Sequence, residues 1–199
     1  MTTRFKTVRA TMPMALTAGL FLATVGATQL LPGSAQAAEL RLAHWMSPLH
    51  SMHRYVMDPW AKDVAKKSGG KFTVKIYPGG ALGKGPVAQF KRAVDGIADI
   101  TFGLPGFTAA QFKRTGIIEL PDIASSGPDG AEKLWKAMSQ LESEWDRVKV
   151  LGLWVGEPQI LITKDKAIRT LEDLKGMKIR TPSKVQAEII EALGGTPVP

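Results

Sequence analysis

Strands and helices alternate along residues 38–199, and the alternation predicts an α/β fold with largely parallel strands. Period-two runs supply the strands: Leu40, Leu42 and His44 alternate with Arg41 and Ala43, and Phe72, Val74 and Ile76 alternate with Thr73 and Lys75. Between them Val56, Met57, Trp60, Ala61, Val64 and Ala65 recur at helical spacing, with Lys62, Asp63, Lys66 and Lys67 opposite. Gly69-Gly70 and Pro78-Gly79-Gly80 punctuate the boundaries.

The elements follow in order. The first strand runs from Glu39 and ends at Trp45-Met46-Ser47-Pro48. In the helix after it, Pro59 either occupies the first turn behind an Asp58 N-cap or kinks a longer helix begun near Ser51. A second helix is expected from Pro86 to about Asp95, then a third strand over 98–102. Leu104 to Gln111 reads as irregular. A longer helix starts at Pro128, with Asp129 and Glu132 early, as the helix dipole favours. Two strands are expected over 148–155 and 159–163, a helical turn over 170–175, and a strand over 177–181. Ser183 with Gln186 three residues on forms a capping box for a helix reaching Leu193. Residues 196–199 look like the opening of a further strand with neither partner nor following helix, which suggests that the sequence is incomplete.

The N-terminus points to export. Arg4, Lys6 and Arg9 precede a diluted apolar run from Met14 to Leu31, and Ala35-Gln36-Ala37 supplies the small residues of a cleavage site. This order is that of a cleaved signal peptide over residues 1–37, cut after Ala37, rather than of an anchor of about 20 strongly apolar residues. The remaining chain carries 23 basic and 18 acidic residues, a net charge of +5. That charge suits an anionic ligand, while the lack of a basic block interleaved with aromatics argues against nucleic acid. With no cysteine there is neither a disulfide framework nor a thiolate metal site. Roughly 160 residues remain, enough for one domain or two incomplete lobes.

Several motifs invite chemistry. Gly83-Lys84-Gly85-Pro86-Val87-Ala88 fits the loose dinucleotide pattern, but seven residues separate Ile76 from Gly83, and Asp99 begins its strand rather than ending it. Gly79 to Lys84 is one residue short of a phosphate loop, and Gly85 stands where Ser or Thr is needed. A glycine-rich turn remains. His44, His50 and His53 lack the spacing of a zinc site, so neither metal nor cofactor is expected. No nucleophile elbow is present. Arg180 lies near the end of a strand, before Thr181-Pro182 and a capped helix. Ligands in open α/β sheets sit outside the carboxyl ends of strands, and a guanidinium there matches a carboxylate bidentately. The pattern alone favours an exposed strand-end arginine with no ligand.

Three stretches resemble the DctP-type substrate-binding proteins of tripartite ATP-independent periplasmic (TRAP) transporters. They are Leu42-Ala43-His44-Trp45 with Pro59-Trp60-Ala61; Ile76-Tyr77-Pro78-Gly79-Gly80-Ala81-Leu82-Gly83 with Gly96-Ile97-Ala98-Asp99-Ile100; and the run Leu171-Glu172-Asp173-Leu174-Lys175-Gly176-Met177-Lys178-Ile179-Arg180-Thr181-Pro182. The resemblance implies a two-lobed, type II-like periplasmic binding fold. Lobe I would cover 38–154 and the start of lobe II 155–199, truncated before that lobe and the hinge are complete. It implies a receptor without catalysis that hands a small organic carboxylate to membrane-embedded transporter subunits.

By the same resemblance Arg180 pairs with the substrate carboxylate, and Gln159 falls where binders of 2-oxoacids have a glutamine. Trp45, with His44 beside it, sits where the first strand reaches the ligand. Sialic-acid binders carry a second arginine where Ile160 stands, and polar pocket residues where Leu104 and Phe107 stand. One charged clamp with apolar walls suits an aliphatic or aromatic monocarboxylate, a C4-dicarboxylate being a further possibility. A periplasmic enzyme or a sensor component is the competing expectation. An enzyme would need a general base, and Asp99, Glu157 and His44 are the candidates.

Overall fold

The computed structural model describes residues 37–198. The leader expected over 1–37 therefore lies, except for Ala37, outside the described residues. Among these, no helix is long and apolar enough to cross a membrane.

Two parallel sheets organise the chain. Strand β1 (Ala38–Ala43) is central to the first, flanked by β2 (Phe72–Tyr77) and β3 (Ile100–Thr101). Its register puts Leu42 beside Ile76 on one side and Ile100 on the other. Parallel pairing needs a crossover between neighbouring strands, and helix α1 (Asp58–Lys67) provides it from β1 to β2. Leu42, Met46 and Met57 form the core under the sheet, with Trp45, Met52, Val74, Ile76 and Phe102 packed on it. Arg41 fastens β1 to β3 by hydrogen bonds to Asp99 at 3.0 and 3.2 Å and to the Gly96 carbonyl at 2.9 Å.

Of the two roles open to Pro59, the structure takes the longer helix. A wide, π-type turn over Met52–Met57 runs directly into α1, and Met57 at the junction keeps helical dihedrals. Proline has no N–H and its ring crowds the carbonyl four residues back, so a widened turn before it accommodates the ring without ending the helix. Helix α2 (Gln89–Val94) is shorter than expected, because residues 79–88 form a looped turn. The guanidinium of Arg92, itself buried, holds that turn through the carbonyls of Lys84 (2.8 Å) and Gly85 (3.4 Å). Gly83, at φ +124°, lies so close that a Cβ there would stand 2.7 Å from Arg92 Nε. The glycines thus admit an arginine, which was not legible from their spacing.

Helix α3 (Gly127–Trp145) starts one residue earlier than expected, behind Ser126, whose hydroxyl accepts from Asp129 N at 3.3 Å. Its C-terminal end meets a 3₁₀ turn at Thr115–Glu119, an element absent from the sequence expectation. There Glu144 is buried and accepts from Arg114 N (2.6 Å), Thr115 N (2.9 Å) and Thr115 Oγ1 (2.7 Å). Burial pushes its carboxyl up, but these hydrogen bonds outweigh burial and hold it below its ordinary value.

The second sheet pairs β4 (Lys178–Arg180) with β5 (Thr196–Val198), joined by α4 (Lys184–Ala192). Two expectations are corrected. The final strand does have a partner, since Ile179 is in register with Pro197. Residues 148–155 and 159–163 belong to neither sheet, because β-rich composition makes a strand only where a neighbour takes its ladder hydrogen bonds.

Candidate functional site

The carboxyl ends of β1, β3 and β4 deliver the aromatic and cationic side chains singled out above. Trp45 lies two residues past β1, Phe102 one residue past β3, and Phe107 in a 3₁₀ turn at Pro105–Thr108. Arg180 is the last residue of β4. Trp45 stacks on Phe102, with ring centroids 5.4 Å apart and planes 19° apart, and meets Phe107 edge-on at 6.2 Å. Phe102 stacks in turn on Trp154 at 5.7 Å. Arg180 Cζ lies 5.9 Å from the centre of the Phe107 ring. The result is a continuous row from Trp154 through Phe102, Trp45 and Phe107 to one guanidinium.

Arg180 is exposed and, among the described residues, has no carboxylate partner and no side-chain hydrogen bond. A cation over an aromatic face gains a modest attraction and leaves its N–H fork available, so the arrangement can accept a planar anion whose body lies on the rings. Beyond Arg180, α4 begins with Ser183 Oγ accepting from Gln186 N at 3.1 Å. That hydrogen bond is the forward half of the expected capping box.

The other sequence candidates are placed differently. His44 is fully enclosed, and its Nε2 lies 2.9 Å from His53 Nδ1. Burial, with His53 and His50 nearby, pushes its pKa down to about 4, so the ring is neutral at pH 7. The ring is therefore closed off from solvent. Gln159 is exposed and forms no bond with Arg180. Leu104 is half exposed and lines a cavity of about 570 Å³ with Trp60 and Phe90, which shares Phe102 and Trp154 with the aromatic row; Arg180, Phe107 and Trp45 are not part of its lining.

Of the three general-base candidates, Asp99 is held below its usual pKa by hydrogen bonds from Arg41. Glu157 accepts from Gly127 N at 3.4 Å, and His44 is sealed in. Phe102 and Trp154 were missed from sequence. The period-two run 98–102 could have flagged Phe102, whereas nothing local marks Trp154.

A parallel α/β scaffold thus carries, at its strand ends, an aromatic row beside a guanidinium that has no carboxylate partner among the described residues. The chain belongs to the bacterial extracellular solute-binding protein family 7 (DctP), whose model matches residues 42–199. It resembles a TRAP solute-binding protein from Rhodoferax ferrireducens solved with copurified benzoate. That match has 32% identity and a TM-score of 0.78, over 81% of this chain and 51% of the other. It also resembles a marine metagenome TRAP solute-binding protein solved with 3-hydroxybenzoate, at 29% identity and a TM-score of 0.79, over 82% and 51% of the two chains. Among curated proteins it is 25% identical over 182 residues to the outer membrane transporter protein TsaT of Comamonas testosteroni, covering 89% of this chain and 53% of that protein. The chain thus spans about half the length of the relatives it matches.

Proposed function

We propose that the chain forms the ligand-capturing part of a periplasmic receptor for a small aromatic monocarboxylate, serving a TRAP membrane transporter. The observation that carries this reading is Arg180 without a carboxylate partner, 5.9 Å above the Phe107 ring and in line with Trp45 and Phe102. The guanidinium takes the carboxylate and the rings take the body of the ligand. Ligands named for the two solved relatives, benzoate and 3-hydroxybenzoate, support the same size and polarity. Gln159, Leu104 and His44 are assigned lesser parts. Gln159 assists the carboxylate once it is brought near, Leu104 walls the cleft, and His44 supports the adjoining Trp45.

In this reading residues 1–37 are the export signal, cut after Ala37. Residues 38–154 belong to a first lobe built on β1–β3, and 155–199 open a second lobe built on β4 and β5. Membership of a solute-binding protein family favours a receptor over an enzyme. Native mass spectrometry of the whole gene product tests the proposal, with the expected result a retained mass of an aromatic acid. Calorimetry with a panel of acids gives the contrary outcome if sugar acids bind and simple aromatic acids do not. Conversion of a panel acid to a new product would establish the enzyme instead.

A further inference from the structure

Gly106, Glu119 and Ser183 meet at one point between the two halves of the site. Ser183 is buried, and its hydroxyl donates a short hydrogen bond to Glu119 Oε2 while accepting from Gln186 N as the cap of α4. A Cβ on Gly106 would collide with the Ser183 Cβ and stand 2.9 Å from Glu119 Oε1. The 3₁₀ turns carrying Gly106 and Glu119 both pack on α4. Phe107 directly follows Gly106, and Arg180 precedes Ser183 by three residues, with Thr181 N fixed to the Val198 carbonyl at 2.8 Å. The carboxylate therefore ties the start of α4 to the Thr115–Glu119 turn, and the Pro105–Thr108 turn that presents the ring packs against both. Among the described residues the Arg180 side chain has no hydrogen-bond partner, so its seat over Phe107 depends on how its backbone is held.

We infer that Glu119 is a positioning residue for the Arg180 clamp. It locks the start of α4 to the Thr115–Glu119 turn, on which the Pro105–Thr108 turn packs, so that the guanidinium stays over the Phe107 ring with its fork facing the ligand. This rests on the carboxylate-receptor reading above. Gly106 is required because any side chain there would wedge the junction apart.

The test uses the whole gene product with benzoate as probe, in the variants E119A, E119Q, R180A and R180A/E119A. Affinities come from calorimetry, or from ligand-observed NMR where binding is millimolar, and folding is followed by thermal melting. E119A is expected to weaken benzoate about tenfold, the loss of one charge-assisted hydrogen bond. E119Q, whose amide oxygen still accepts from Ser183, should stay within about threefold of the parent. With Arg180 already removed, E119A should weaken binding no further, because the group it positions is gone. Equal losses in both backgrounds, or no loss in E119A, would overturn the inference while leaving the receptor intact. Unchanged binding in R180A would overturn the receptor reading and this inference with it.

Discussion

The imidazole rings of His44 and His53 face each other, with Nε2 of the first 2.9 Å from Nδ1 of the second. Asp58 lies 3.6 Å from the far nitrogen of His53 and favours a proton there, which makes His53 Nδ1 the acceptor and His44 Nε2 the donor. His44 Nδ1 then has no partner and is fully buried. His44 is the first residue past β1 and immediately precedes Trp45.

This pairing predicts a specific acid sensitivity. The pKa of His44 is depressed to about 4 by burial and by the neighbouring histidines, below the ordinary value of about 6.5. Between these values the unfolded chain binds a proton at this position that the folded chain refuses, so stability falls as pH drops from about 6.5 towards 4. Thermal melting across that window should show a decline, and H44F should flatten it. NMR showing His44 protonated at pH 6 would be incompatible with the enclosed neutral ring.

Glu144 makes a second prediction. Its carboxylate satisfies two backbone N–H groups and a threonine hydroxyl at the junction of α3 with the Thr115–Glu119 turn. E144A should strip all three donors of their acceptor and lower stability by about 2–4 kcal/mol, read from denaturant unfolding. Because its pKa is lowered, the contribution is present above the ordinary carboxylate range and lost as pH falls through the folded value. A change within about 0.5 kcal/mol would mean that water or another group replaces the carboxylate.

The aromatic row makes a third. F107A removes the ring under Arg180 and the edge contact to Trp45. Aromatic contacts are worth roughly 0.5–1.5 kcal/mol beyond area, so binding of an aromatic acid should weaken about tenfold and binding of acetate hardly at all. Equal weakening for both acids would indicate a general collapse of the site. W45A should lower stability as well, since Trp45 also packs on the core of Leu42, Met46 and Met57.

Much of the scaffold is legible along the chain, because local chemistry dictates it. Strands β1 and β2 follow from period-two residues on a half-buried sheet, and the starts of α3 and α4 from Ser126 and Ser183 or their neighbours. Arg180 at the end of β4 is equally local. What failed was non-local. Residues 148–155 have strand composition, yet ladder partners decide whether they pair, and no composition reveals those. The bond from Ser183 to Glu119 spans 64 positions, and Trp154 reaches Phe102 across 52. His44 adjoins Trp45 in the chain, but its enclosure beside His53 is a non-local outcome that adjacency does not reveal.

The central claim is that one guanidinium holds the ligand's carboxylate. Calorimetry of benzoate with the whole gene product, parent against R180A, tests it most directly. The expected loss is about 100-fold or more, in keeping with the roughly 3 kcal/mol of a bidentate charged pair, with the melting temperature little changed because Arg180 is exposed and has no carboxylate partner among the described residues. Undiminished affinity in R180A would contradict it.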